Sequence, residues 1–115
     1  MIPEPPLFVL WYDFTRWLLN KTEKFPKKVR FTFSSRIDNL CLDIIEGIIE
    51  ARYSRSKLDI LRRIDLDMEK LRVLLRICHD LAYLDHKGYE FAAREINRAG
   101  KMVGGWRKQQ GGKVT

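Results

Sequence analysis

The sequence predicts an all-α fold, an up-down-up-down antiparallel four-helix bundle. Three observations carry this expectation. Apolar residues recur at spacings of three and four through four separate segments of the 115-residue chain. Nowhere do apolar and polar residues alternate for long enough to argue a strand. The breaks between periodic segments are short, so consecutive helices should run antiparallel and pack on one another. With 45% hydrophobic and 32% charged residues the composition is that of a folded domain, not a disordered chain. One bundle domain over residues 1–110 is expected, followed by a flexible tail at 111–115.

The elements follow in order. Pro3, Pro5 and Pro6 make an extended N-terminal arm, and proline suits the first turn of a helix. Helix one, about 6–24, carries Leu7, Leu10, Phe14, Trp17 and Leu18 and stops at Phe25-Pro26. A basic connector, Lys27-Lys28-Val29-Arg30, leads to helix two, about 33–53, with Thr32, Ser34 and Ser35 as competing N-caps. Ile37, Leu40, Cys41, Ile44, Ile48 and Ala51 trace its inner face, and Asp38, Asp43, Glu46 and Glu50 its solvated side. Gly47 costs up to ~1 kcal/mol against alanine and would admit a close neighbour.

Ser54 or Ser56 should cap helix three, about 56–84. Leu58, Leu61, Met68, Leu71, Leu75, Cys78 and Ala82 form its main stripe, widened by Ile64, Leu74 and Leu81, which suggests more than one partner element. Asp85 caps helix four, about 86–105, where Tyr89, Ala92, Ile96, Ala99, Val103 and Trp106 keep the rhythm until Gly104-Gly105 ends it. Phe14, Trp17 and Trp106 are expected in the core, whereas Trp11, Tyr12, Tyr53 and Tyr83 fall less cleanly on the stripes and are candidates for exposed, partner-facing aromatics.

Chemistry is sparse. Cys41 and Cys78 lie on apolar stripes as small hydrophobes. The bundle register sets them about 15 Å apart, too far for a disulfide, which needs Cα atoms within ~7 Å. A reducing cytoplasm fits best. No leader or membrane span is apparent. His79 and His86 have no third ligand in a metal-binding pattern, no phosphate loop precedes a helix, and Thr32, Ser54 and Ser56 are better helix caps than nucleophiles. The residues suggest no enzyme, cofactor or metal.

Charge is more informative. The formal net charge is +7, and residues 86–115 hold seven basic against two acidic groups, a net of +5, leaving +2 for the other 85 residues. Arg94, Arg98, Lys101 and Lys108 share one face of helix four, opposite its apolar stripe, with Arg107 beside them and no acid on their own line. Clustered Lys and Arg reward phosphate neutralisation without a sequence motif, so nucleic acid is the expected polyanion. Helix three adds Arg62, Arg63, Arg72 and Arg76, diluted by Asp59, Asp65, Asp67 and Glu69. A second basic patch lies at the bundle end, formed by Lys21, Lys24, Lys27, Lys28 and Arg30.

Several runs carry a family resemblance. Phe25-Pro26-Lys27-Lys28-Val29-Arg30-Phe31-Thr32, Tyr53-Ser54-Arg55, Leu61-Arg62-Arg63, Glu69-Lys70-Leu71-Arg72 with Leu74-Leu75-Arg76, Tyr89-Glu90-Phe91-Ala92-Ala93 and Gly104-Gly105-Trp106 stand in an order and spacing that resemble the accessory variability determinant (Avd) proteins of diversity-generating retroelements. The resemblance spans about residues 8–108. A broader relative is the group of four-helix-bundle proteins encoded in intervening sequences of ribosomal RNA genes. The resemblance implies a basic bundle assembled as a homopentameric barrel, without enzymatic activity. It also implies binding to the element's reverse transcriptase and to template RNA or DNA, in support of adenine-mutagenic cDNA synthesis and retrohoming. The alternative is an oligomeric interaction scaffold whose basic stripe meets an acidic protein partner and no nucleic acid.

Overall fold

Each apolar stripe becomes the inner face of a helix. The computed structural model describes residues 4–111 and contains α1 (Pro6–Thr22), α2 (Ser35–Tyr53), α3 (Lys57–Asp80) and α4 (His86–Gln109), with no strand among the described residues. Packing runs round the ring α1, α2, α3, α4 and back to α1. At its centre Leu18, Ile37, Ile44, Ile48, Leu61, Ile64, Met68, Leu71, Leu75, Ile96 and Val103 have almost no solvent contact. The predicted stripes therefore face the core, although Leu10, Trp17, Leu40, Leu74, Tyr89 and Trp106 are only partly buried at its margin. Gly47 has the expected use: a Cβ there would sit 2.9 Å from Ile64 Cγ1, so glycine lets α2 approach α3.

Helix one shows one correction. Trp11 is fully buried, and its stripe reads Leu7, Trp11, Phe14, Leu18. The indole is tolerable there because Nε1 donates to the Cys41 carbonyl oxygen at 3.0 Å. Thr15 donates to the Trp11 carbonyl and lies 3.2 Å from Cys41 Sγ. Burial pushes the Cys41 thiol up to about 12, although the Thr15 hydrogen bond opposes the shift, and raises Cys78 to about 11. Both cysteines are buried and free.

The helix ends depart further from expectation. After α1 the connector coils into a 3-10 turn (Lys27–Val29) and a π-turn (Arg30–Ser34) that runs into α2 without a break. Ser34 is already helical, at φ −58° and ψ −51°, so its side chain caps nothing. Nor does Ser56 cap α3 with its side chain. Instead Lys57 Nζ reaches back to the carbonyls of Ala51, Arg52 and Ser54 at 2.6 to 3.1 Å, closing the end of α2. Asp85 caps as expected, its Oδ1 accepting from Gly88 N at 2.7 Å.

Helix three stops at Asp80, four residues early. Tyr83 N donates to Cys78 O at 2.8 Å and Ala82 N to His79 O at 3.0 Å, a Schellman closure that puts Ala82 at φ 63° where glycine is usual. Ala82 and Leu81 are exposed, so neither belongs to the core stripe. Helix four, by contrast, runs through Gly104-Gly105 to Gln109. Val103 is buried and Trp106 packs against the core on the far side of the glycines, and that burial outweighs the ~1 kcal/mol that each glycine costs a helix. Of the tail at 111–115, all but Gly111 lies outside the described residues.

Candidate nucleic-acid interface

Helix four buries Ala92, Ile96, Ala99 and Val103, so 3.6-residue periodicity turns Arg94, Arg98, Lys101 and Lys108 outward. All four are exposed, yet they do not form a uniform line of free charge. The Arg94 guanidinium lies over the Phe91 ring, 5.8 Å from its centroid. Arg98 pairs with Glu95 at 2.8 Å, one turn back, and borders a groove between α1 and α4 that Val9, Leu10 and Phe14 also line. An acid therefore does neighbour the stripe. Lys101 and Lys108 face the other way, into a groove between α3 and α4, and make no ion pair among the described residues.

That second groove brings Lys101 and Lys108 together with Arg72 and Arg107 along the small-residue ridge of Gly100, Gly104 and Gly105. Two carboxylates share it. Glu69 accepts from Arg72 at 2.9 Å, and Asp65 accepts from Arg107 in a pair that ties α3 to α4, the arginine side chain being only 14% exposed. The Arg72 guanidinium crosses α4 at Gly100, where a Cβ would come within 3.1 Å of Nη2. The remaining predicted cations lie apart from the groove. Arg62 pairs with Asp59 on its own helix, Arg63 reaches Glu50 of α2 at 3.1 Å, and Arg76 is exposed with no ion pair among the described residues.

The opposite contrast appears at the α1–α2 connector. Lys24, Lys27, Lys28 and Arg30 are all exposed, and none makes an ion pair among the described residues. Lys21 lies over the Trp17 ring at 5.5 Å. Phe31, in the π-turn, is 83% exposed. Sequence reasoning did not single it out, although Phe31 and Phe33, two positions apart, cannot both face one core. Phe33 takes the inner position, 6.2 Å from Tyr83 between centroids. At the base of the connector Thr22 donates to Asp38 at 2.6 Å, and burial raises the Asp38 carboxyl above its ordinary value against the opposing effect of that hydrogen bond.

The α3–α4 turn closes the same end of the bundle, since Tyr83 also meets Phe25 at 6.3 Å. The early stop of α3 brings His79 and His86 together with tilted rings, Nε2 to Nδ1 at 3.4 Å, where a continuous helix would have left them two turns apart. His86 also contacts Glu90 at 2.9 Å, and the His79 ring stacks on Tyr89. No group of three or more metal-ligating side chains occurs among the described residues. No helix among them is long and apolar enough to cross a membrane.

Residues 9–110 match the model of the bAvd-like family. No curated protein and no solved structure matches the chain. The matched span runs from the first turn of α1 to the end of α4 and covers every helix and every motif that carries the resemblance, so the protein belongs to the bAvd-like family, of the accessory variability determinant type.

Proposed function

We propose that this protein is the non-enzymatic accessory factor of a diversity-generating retroelement, binding the reverse transcriptase and template RNA or DNA to support mutagenic cDNA synthesis and retrohoming. The family match over residues 9–110 carries this reading. The exposed cations Arg94, Arg98, Lys101 and Lys108 on α4 support its nucleic-acid half, with Arg62, Arg63, Arg72, Arg76 and Arg107 as flanking contacts. Assembly as a homopentamer belongs to the same proposal. Its support is the apolar outer surface of α2 and α3, where Leu42, Ile49, Leu66, Val73 and Ile77 are all at least 36% exposed. Such a surface marks an interface more often than a solvated face.

Sedimentation tests the assembly, with about 68 kDa expected for five 13.7-kDa chains. A monomer with concentration-independent unfolding overturns it. Nucleic-acid binding is tested by titration across a salt series. Replacing Arg94, Arg98 or Lys101 by alanine should weaken RNA or DNA binding with little sequence dependence, and flatten the slope of log affinity against log salt by ~0.7 to 0.9 for each phosphate interaction removed. A charge-reversed triple variant that folds and assembles should lose nucleic acid and keep the reverse transcriptase.

The second reading, a scaffold for an acidic protein, has one observation in its favour. Arg62, Arg63, Arg72, Arg98 and Arg107 already have carboxylate partners within the chain, which lowers the charge left for phosphates. It stands if the triple variant keeps full nucleic-acid affinity and loses only its protein partner.

A further inference from the structure

We propose that the α1–α2 connector is a second, separate contact for single-stranded nucleic acid, in which an unpaired base stacks on Phe31 while flanking phosphates lie against Lys27, Lys28 and Arg30. This rests on the nucleic-acid reading above and adds to it a site, a ligand class and a mode of binding.

Three observations meet at the connector. Leaving a phenylalanine 83% exposed forfeits most of the stabilisation its burial would give, and the π-turn that holds it outward is a rare backbone form that occurs frequently at functional sites. The cations that precede it, Lys27, Lys28 and Arg30, are exposed and make no ion pair among the described residues, so their charge is available to a polyanion. Beside the turn, and not lined by Phe31 itself, lies an open cleft of about 490 Å³ that Pro26, Lys27, Arg30, Ser34 and Ser35 border, room for the backbone of a strand whose base lies on the ring. Glu23 and Asp38 also line this cleft, the latter engaged by the Thr22 hydroxyl, and neither makes an ion pair with Lys27 or Arg30 among the described residues.

An exposed aromatic set among unpaired cations is the arrangement by which proteins hold single strands: charge follows the backbone and the ring accepts any base. A duplex keeps its bases stacked on one another and offers the ring no face. The connector therefore discriminates strandedness, whereas an array of cations such as that on α4 reads phosphate charge alone.

The test uses the full chain and labelled 20-nucleotide single strands of RNA and of DNA, with duplexes of the same sequence, followed by fluorescence anisotropy over a salt series. Phe31→Ala should weaken single-strand binding about 5- to 150-fold, leave duplex affinity unchanged, and leave the salt slope at its wild-type value, since no charge is removed. Phe31→Trp should restore binding. The triple variant Lys27→Ala, Lys28→Ala, Arg30→Ala should lower the single-strand salt slope by ~2, at ~0.7 per phosphate contact.

Wild-type single-strand affinity in Phe31→Ala, or an equal loss for duplex, overturns the proposal. So does a changed assembly mass, which would make Phe31 a contact between copies of the chain, or intact nucleic-acid binding with loss of the reverse transcriptase, which would make it a protein contact. If Phe31→Ala binds normally while charge reversal on α4 abolishes binding, the connector inference fails and the proposed function survives. A wild-type chain that binds neither RNA nor DNA overturns both.

Discussion

The groove between α3 and α4 and the connector between α1 and α2 are both rich in lysine and arginine, and they use that charge in opposite ways. In the groove, Arg72 and Arg107 are held by Glu69 and Asp65, and only Lys101 and Lys108 are left without carboxylates. At the connector none of Lys24, Lys27, Lys28 and Arg30 is paired among the described residues. Formal charge is therefore a poor guide to available charge. A helix that alternates Asp or Glu with Arg at i,i+3, as α3 does, neutralises itself once folded, whereas the short coiled connector leaves its cations without an ion pair among the described residues even where Glu23 and Asp38 border the same cleft. The difference matters to any polyanion, which finds Lys101 and Lys108 open at the groove but must displace a carboxylate to reach Arg72 or Arg107, and displaces no ion pair at the connector.

The largest expected effect strikes the core face of α3, the helix that supplies one wall of the groove. Leu71 and Leu75 have essentially no solvent exposure and hold α3 in the register that presents Arg72 and Asp65 to α4. Leu71→Ala should cost ~2 to 5 kcal/mol in urea denaturation, through lost burial and an unfilled cavity. A loss below ~0.5 kcal/mol, typical of surface positions, would place the stripe outside the core and remove the basis of the groove itself.

A smaller change inverts the comparison. Asp65→Ala takes the carboxylate from Arg107 where the arginine side chain is only 14% exposed, which should cost ~1 to 3 kcal/mol because a largely desolvated cation loses a charged partner. The same change removes one carboxylate from the groove. Nucleic-acid affinity at low salt should rise, and the salt slope should steepen by up to ~0.9, one phosphate contact. Unchanged stability would mean that the α3–α4 pair is idle. A steady slope with lowered stability would mean that Arg107 serves the fold alone.

Most of the fold was legible because it depends on spacing, which survives without coordinates: Ile37, Ile44 and Ile48, or Ala92, Ile96 and Ala99, need only 3.6-residue periodicity to face the core. What was hidden depended on tertiary context. Ala82 adopts a left-handed conformation with no glycine to announce it, so α3 looked longer and the meeting of His79 with His86 was invisible. Gly104-Gly105 looked like a stop because the core behind Trp106 cannot be seen in one dimension. At the site, the i,i+3 pairing of Arg98 with Glu95 was readable in principle, but Arg63 with Glu50 and Arg107 with Asp65 require the register between helices. Lys57 as the clasp on α2 left only a faint signal, a lysine just beyond a helix C-terminus.

The smallest expected effect is the sharpest test of the contrast, because it predicts almost nothing for stability and something definite for binding. Lys27 and Lys28 are exposed in a 3-10 turn whose backbone suits alanine, and neither donates to a carboxylate among the described residues. Replacing each by alanine should therefore move the unfolding free energy by no more than ~0.5 kcal/mol, the range of surface changes away from caps, networks and cores. The sign follows from the neighbours. Lys28 stands between Lys27 and Arg30 in sequence and does not line the cleft that holds Glu23 and Asp38, so its removal relieves repulsion and should stabilise slightly at low ionic strength, whereas at Lys27 those carboxylates offset the gain. That gain should fade as salt brings the screening length to ~10 Å at 0.1 M. Single-strand binding should respond in the opposite direction, its salt slope falling by ~0.7 for each lysine removed. A loss of more than ~1 kcal/mol of stability would show that these lysines anchor the connector as Asp65 and Arg107 anchor the groove, and the two regions would then be alike.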